Sequence, residues 1–526
     1  MSITSLVFLL YVAVTAGVYF IFPQRIQWCW LLVSSAIFYF LNGGKLAVWL
    51  YGSAITIYFC GLILDGLDQR YQKKLEALVV PDKVQKKALK QSNARIKQVF
   101  VLFTALINIG IWIGFKFADL FIVNINKAFS ASLNLWNLAL PLGISFYTFQ
   151  AVSYVIDIYR GKCQAQRNPF KLILWLSYFP QMIQGPICRY NETAEQLFVS
   201  HKPEYHRIKF GAQLVLWGYF KKLVVADRVA QITMTIFDNP VQYSGLELLI
   251  GAIAYTIQLY GDFSGGIDVI SGVSEILGIA LPKNFERPYF SRSISEYWRR
   301  WHISLGGWFR DYIFYPLSIS KAALALGKRT RKWFGPRLGK MVPTYIALLI
   351  VWTLNGVWHG AGVQYVAYGF YQGMLIMLGM QIAQPSSKLM ERWHVNTSCF
   401  SWRLWQMFRT TMLMVLGRVL YKAPSLSEAF RIWKSIFTEF NPWIFTDGTF
   451  FSFGLSAYEM FVLFIALLVW LVVSILQERG VRLRKTIEGQ NLVFRWMLYL
   501  GAIFVIILAG AYGEGYNAAD FIYANF

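Results

Sequence analysis

Apolar runs of about 20 residues recur along the chain, with short polar stretches between them. Each is long enough to cross a hydrocarbon layer of ~30 Å as a helix. The first three cover roughly 3–22, 26–41 and 46–64. A long polar loop is predicted over 65–97, carrying Arg70, Lys73, Lys83, Lys90, Arg95 and other cations. Helices near 99–115 and 137–158 follow. The apolar segment 170–187 is broken by Pro180, Gly185 and Pro186. It reads as a re-entrant element, which is tolerated at membrane depth only where protein or a cavity surrounds it. Long helices near 207–235 and 246–262 come next, then crossings near 342–359, 362–382, 404–420, 459–476 and 493–511. The pattern predicts an all-α polytopic membrane protein with about twelve crossings plus re-entrant helices. No Pro/Gly/Ser-rich linker divides it, so residues 1–526 are expected to form one transmembrane domain.

Charge orients this pattern. The chain carries a net charge of +23. The stretch 283–340 alone holds thirteen Lys/Arg against three Asp/Glu. Cations concentrated in the segments between apolar runs mark the cytoplasmic side, so 65–97 and 283–340 are assigned there. The loop at 421–457 and both termini then fall outside. The excess of cations is therefore a topology signal with some attraction to anionic headgroups, and nucleic acid is not an expected partner. The composition agrees: 56% hydrophobic, 17% aromatic and only 15% charged, where a soluble domain carries about a quarter charged.

Several chemistries are disfavoured. The five cysteines are scattered with no Cys-x-x-Cys pair, so neither a disulfide framework nor a metal site is expected. The chain has no Gly-Lys-Ser/Thr phosphate loop, no His-Glu-x-x-His and no Gly-x-Ser-x-Gly elbow. The N-terminus lacks a basic leader region, and residues 3–22 read as a retained first helix.

Two of the five histidines stand out. His359 lies in an apolar run, Trp352-Thr353-Leu354-Asn355-Gly356-Val357-Trp358-His359-Gly360. An ionisable group inside a membrane segment is a functional-site hypothesis by default. A neutral imidazole there can take a proton from an attacking hydroxyl, and Asn355, four residues earlier on the same helical face, can orient it. A histidine that only hydrogen-bonds across helices fits the run equally well. His302 lies in the basic, aromatic stretch Tyr297-Trp298-Arg299-Arg300-Trp301-His302, with Arg310 and Asp311 shortly after. Such guanidinium groups bind anionic donors in forked geometry. Trp298 and the arginines taken singly read as interfacial anchors. From a helix start near Val342, His359 is roughly 25 Å along the axis, toward the outer half. His302 belongs to the inner half.

Further polar groups fall inside the apolar pattern. Lys221 and Lys222 read as snorkelling cations or as a charged cavity wall. The Gly-broken segment Asp262-Phe263-Ser264-Gly265-Gly266-Ile267-Asp268 allows close helix contact, with its acids free to pair with those lysines or with arginines. The chain ends Phe521-Ile522-Tyr523-Ala524-Asn525-Phe526. A phenol there is either an interfacial anchor or a nucleophile that accepts an acyl group.

Four stretches together resemble the membrane-bound O-acyltransferase family, in the bacterial branch that includes the alginate O-acetylation membrane protein. They are 141–150 (PLGISFYTFQ), 179–187 (FPQMIQGPI), the block from Asp262 through Asn284-Phe285-Glu286-Arg287 to Trp308-Phe309-Arg310-Asp311, and Gly356-Val357-Trp358-His359-Gly360. The likeness covers most of residues 1–420. It implies a ring of helices around a central tunnel, with His302 and His359 as the two signature histidines. It also implies an acyl group, acetyl foremost, moving from a cytoplasmic thioester to an exported or cell-wall polysaccharide. The donor is acyl-CoA or an acyl carrier protein, with no further cofactor. Extracytoplasmic acyltransferase or polysaccharide machinery is the implied partner, and a plasma or inner membrane the implied location. The ending is similar to one in related systems, which implies an acyl relay at Tyr523. Catalysis is assigned to His359, His302 and Tyr523. Substrate binding is assigned to Asn355, Trp298, Arg299, Arg300, Arg310, Asp311 and Asp262. Two departures concern the donor side: a basic insertion from Lys321 to Lys340, and Gly266 where an aromatic is more usual. Alternatives are D-alanyl transfer to teichoic acid with an acyl carrier protein, acylation of a protein or lipid, and a membrane transporter.

Overall fold

The computed structural model describes residues 1–77 and 82–512. Among these residues every regular element is a helix, apart from a single β-bridge between Phe285 and Trp301. The chain separates into two compact units: Met1–Ala212 with Ile270–Pro282, and Gln213–Val269 with the chain from Lys283 onward.

The first unit opens with α1 (Leu6–Ile21), α2 (Gln27–Gly43), α3 (Ala47–Glu76) and α4 (Lys83–Phe129). Ser5 starts α1 by accepting the Phe8 amide hydrogen at 3.2 Å. The polar loop expected over 65–97 is largely helical, because α3 and α4 continue into it. Its Lys, Gln, Ala, Leu and Arg residues are good helix formers, and hydropathy alone does not register them. Asp68 ties the two extensions together, accepting from Lys97 at 2.6 Å and from Asn93 at 3.1 Å.

Helix α5 (Ile144–Tyr159) is buried along nearly its whole length. It starts at Gly143, whose φ of 67° suits glycine, and a Cβ there would meet the Met182 carbonyl oxygen at 2.5 Å. The broken apolar segment forms two short helices, α6 (Pro169–Ser177) and α7 (Phe179–Gln184), and every residue of α7 is buried. Asn168 and Pro169 open α6. Gly185 and Pro186 end α7. Helix α8 (Tyr190–Phe198) follows.

Further on, α9 (Tyr205–Tyr219) runs through a π-helical turn, Phe220–Ala226, into α10 (Asp227–Phe237). Helix α11 (Gly245–Ile276) is longer than the run near 246–262. Within the second unit α9 and α11 touch backbone to backbone, since a Cβ on Gly218 would lie 2.6 Å from the Gly265 carbonyl oxygen. The glycines of the acidic segment therefore serve close helix contact. Short helices α12 (Ile294–Arg300), α13 (Ile303–Phe309) and α14 (Tyr315–Ser318) come next, with a second π-turn at Arg310–Phe314.

Helix α15 (Lys321–His359) is kinked at Gly335, with φ 76°. Beyond the kink Gly339 packs on the Arg331 backbone and Thr330 donates to the Gly339 carbonyl at 2.6 Å. The basic insertion is thus a helical hairpin set ahead of the span that carries Asn355 and His359. Helices α16 (Val363–Arg392) and α17 (Phe400–Lys422) pack after it, and α18 (Leu426–Thr438) occupies the expected 421–457 loop. The chain closes with α19 (Ala457–Glu478), α20 (Leu483–Glu488) and α21 (Leu492–Ala509).

Six helical stretches among the described residues are long and apolar enough to cross a membrane: Gln24–Glu76, Lys83–Phe129, Lys321–His359, Val363–Arg392, Ala457–Glu478 and Leu492–Ala509. The protein is a multi-pass membrane protein. A count near twelve would also need shorter or more polar helices, such as α1, α5 and α17.

Candidate active site

The second unit contains a cavity of about 440 Å³. Its lining includes His302, His359, Asn355, Trp298, Arg299 and Arg310, six of the residues singled out in the sequence. Residues almost 60 positions apart in the chain are therefore brought to one space. Among the described residues no carboxylate lines it, whereas three arginines do: Arg299, Arg310 and Arg418.

His302 is positioned by the backbone. Asn284, Phe285 and Glu286 run beside Arg300–Ile303, with Glu286 N donating to Arg300 O and Ile303 N donating to Asn284 O, both at 2.9 Å. His302 sits at the start of α13 with φ 46° and ψ 54°. This left-handed conformation is uncommon outside glycine. Asn284 Oδ1 accepts from the Ser304 amide at 3.1 Å and from the Ser304 hydroxyl at 2.9 Å. Those donors fix the amide orientation, so the imidazole Nδ1, 3.1 Å from the same oxygen, must donate to it. The neutral ring then carries its proton on Nδ1, and Nε2 is the basic nitrogen. His302 is 2% exposed, with the edge of Phe263 packed against its ring. Burial pushes its pKa from 6.5 down to about 3. The residue is neutral at physiological pH.

His359 ends α15, just before Gly360. Its Nδ1 lies 3.1 Å from the Tyr421 hydroxyl on α17. A base at Nε2 requires the tautomer in which Nδ1–H donates to that phenol oxygen. Trp358 contacts both histidine rings, at centroid distances of 6.0 Å from His302 and 4.7 Å from His359. Asn355, one turn earlier, is buried with its Oδ1 in no hydrogen bond to any described residue. A buried amide oxygen in that state suits a donor brought in by a ligand.

The other assigned residues are placed as follows. Trp298 donates to Gln372 Oε1 at 3.2 Å and packs on Trp352. Arg299 and Arg310 are exposed members of the lining, with Asp311 paired to Arg310 at 2.9 Å and outside the lining itself. Arg300 does not line the cavity. It is held by Glu296 at 2.7 Å and Glu478 at 3.0 Å. Asp262 is also outside the lining. It is buried against Lys222, which also meets Asp227 at 2.8 Å, while Lys221 meets Asp268 at 2.8 Å. These pairs lock the π-turn, the start of α10 and α11 together, and Phe263 next to Asp262 reaches His302. Tyr523 lies outside the described residues.

Sequence reading missed Arg418. It is 1% exposed on α17 and lies over the Trp301 ring, 4.8 Å from its centroid. It donates to Tyr368 at 2.7 Å and Tyr297 at 3.2 Å. The signal was present: an arginine within the apolar run near 404–420 falls under the same rule that picked out His359. Tyr421 and Asn284 were missed as well, because a phenol or an amide is unremarkable until its histidine neighbour is known.

A multi-pass helical membrane protein with two buried histidines on one arginine-lined cavity defines a membrane acyltransferase when the comparisons are added. The model of the membrane-bound O-acyltransferase family matches residues 166–329. A probable alginate O-acetylase of Pseudomonas syringae pv. tomato is 31% identical over 448 residues, covering 84% of this chain and 76% of that protein. A peptidoglycan O-acetyltransferase of Helicobacter pylori is 27% identical, covering 77% and 73%. A teichoic acid D-alanyltransferase of Bacillus subtilis is 30% identical over 242 residues, covering 46% and 59%. The chain belongs to the membrane-bound O-acyltransferase family, and it is an O-acyltransferase.

Proposed function

We propose that the protein transfers an acetyl group from a cytoplasmic thioester toward an exported or cell-wall polysaccharide. The observation that carries this reading is the shared cavity: two buried imidazoles, an Asn355 amide oxygen to which no described residue donates, and a wall lined by three arginines and by no carboxylate of the described residues. Arg299 and Arg310 hold the anionic end of the donor, acetyl-CoA or a carrier-bound acetyl group. Neutral His302 accepts a hydrogen bond at Nε2 and positions the donor. The acceptor hydroxyl oxygen attacks the thioester carbonyl carbon while His359 Nε2 takes the hydroxyl proton. The C–S bond breaks, and the leaving thiolate takes that proton back. A base so placed contributes about 10²–10⁴-fold. Tyr523 is the candidate intermediate acceptor, handing the acetyl group to an extracytoplasmic transferase or to the polymer. The plasma or inner membrane is the setting this route needs.

D-alanyl transfer from a carrier protein is favoured by one specific observation. The hairpin ahead of the span exposes Lys321, Lys328, Arg329, Arg331, Lys332, Arg337 and Lys340, a surface suited to an acidic carrier.

The test is acyl transfer in proteoliposomes with labelled acetyl-CoA, comparing wild type, His359→Ala and Tyr523→Phe. Label on the wild-type protein that Tyr523→Phe loses supports the relay. Label requiring His359 but not Tyr523 supports direct transfer. Normal acylation by His359→Ala sinks the catalytic assignment, and no label from acetyl-CoA shifts the donor to a carrier.

A further inference from the structure

A second void of the second unit lies away from both histidines. It is an apolar slot of about 720 Å³ between α19 and α21, floored by α9 and its π-turn. Along α19 the slot follows one helix face from Tyr458 to Gln477. At 1.5 Å per residue this is about 28 Å, close to the ~30 Å of a hydrocarbon layer. On α21 the facing positions include Gly501, Ala502 and Ala509, small residues that leave the space unfilled. A Cβ on Gly501 would meet no described residue within 4 Å. Helices parted along a span's length would forfeit the packing that associates membrane helices, unless a third component fills the gap.

The ends of the slot differ. One has only Tyr458 as a polar group beside Val224 and Ala509. The other carries Gln477 and Arg484 at its rim, and part-way along the slot Gln213 donates to the Tyr499 hydroxyl at 2.8 Å. Gln213 Oε1 is buried and accepts no hydrogen bond from any described residue. The turn beyond this end is cationic, with Arg479, Arg482, Arg484 and Lys485 in seven residues. One of the nearby acids, Glu478, is already engaged by Arg287 and Arg300.

We infer that the slot holds an anionic glycerophospholipid. An acyl chain lies along α19 and α21, and the phosphate faces the Arg479–Lys485 turn. The apolar length selects a lipid tail, and the asymmetric polar end selects a phosphate-bearing head. The inference is independent of the acyl donor and acceptor.

The test is native mass spectrometry of the full chain after purification in a mild detergent. Wild type is expected to keep one phospholipid per chain, of an anionic class. Gly501→Phe projects into the open slot and should lower retention on the order of tenfold. Arg484→Gln should keep a lipid while losing the anionic preference. A monodisperse wild type that retains only detergent overturns the inference. So does equal retention by Gly501→Phe, or selective retention of a polyprenyl phosphate instead of a diacyl lipid. Acyl transfer by Gly501→Phe, assayed in parallel, separates a failed lipid site from a failed catalytic reading.

Discussion

His302 and His359 share a cavity but are held in opposite ways. His302 is fixed through the main chain: a left-handed residue at a helix start, pinned by an asparagine that also binds the following turn. His359 lies at the end of a long helix, with a phenol from a different helix on its Nδ1. The first arrangement gives one ring pose and one tautomer. The second leaves the tautomer to a hydroxyl that can either donate or accept. A fixed acceptor suits positioning, and an adaptable one suits a group that must gain and lose a proton within a cycle.

The comparison breaks first at the residues themselves. His359→Ala is expected to lower transfer by about 10²–10⁴-fold while inserting normally, read by labelled acyl transfer beside membrane-extracted yield. His302→Asn should fold, because asparagine tolerates the left-handed region, yet lose much of the activity through weaker donor use. If His302→Asn instead lowers turnover with donor affinity unchanged, the roles of the two histidines are reversed.

Their supports give a smaller effect. Tyr421→Phe removes one hydrogen bond and should cost up to about tenfold in turnover. Asn284→Ala should act on stability as well, since it also strips the Ser304 amide of its acceptor. Thermal melting would separate the two variants, and equal melting temperatures would remove the distinction between a scaffolded and an adaptable histidine.

pH supplies a finer test. His302 has its folded pKa pushed down to about 3 from 6.5. The unfolded chain therefore binds a proton that the folded chain refuses as pH falls from about 6.5 toward 3. Stability should drop across that window, less steeply in His302→Asn. Identical acid profiles would show that the ring is not buried in its neutral form.

The smallest effect is expected at neighbouring arginines. Arg299→Gln should raise the apparent KM for donor several-fold, by loss of an exposed charged contact of about 1 kcal/mol. Arg300→Gln should leave KM unchanged, since Arg300 faces Glu296 and Glu478. Equal effects on KM would return Arg300 to the donor site.

Much of the site was legible because histidine is rare here and two of five fall in unusual surroundings. The glycine-broken acidic segment was legible as a place of close helix approach. Arg300 falls outside the cavity lining because consecutive residues on a helix point about 100° apart, so a run of arginines cannot all face one cavity. The polar extensions of α3 and α4 were read as loop because apolar periodicity is silent where both faces are polar. Arg418 was passed over amid other basic residues, and only its cover of Trp301, Tyr297 and Tyr368 shows its depth.

Trp358 touches both imidazoles, and that contact bears on proton economy. An indole has one N–H and no lone pair to receive a proton. It can lie between two bases without conducting between them. Trp358 therefore passes no proton from one ring to the other, and any exchange between the two histidines runs through what enters the cavity they share.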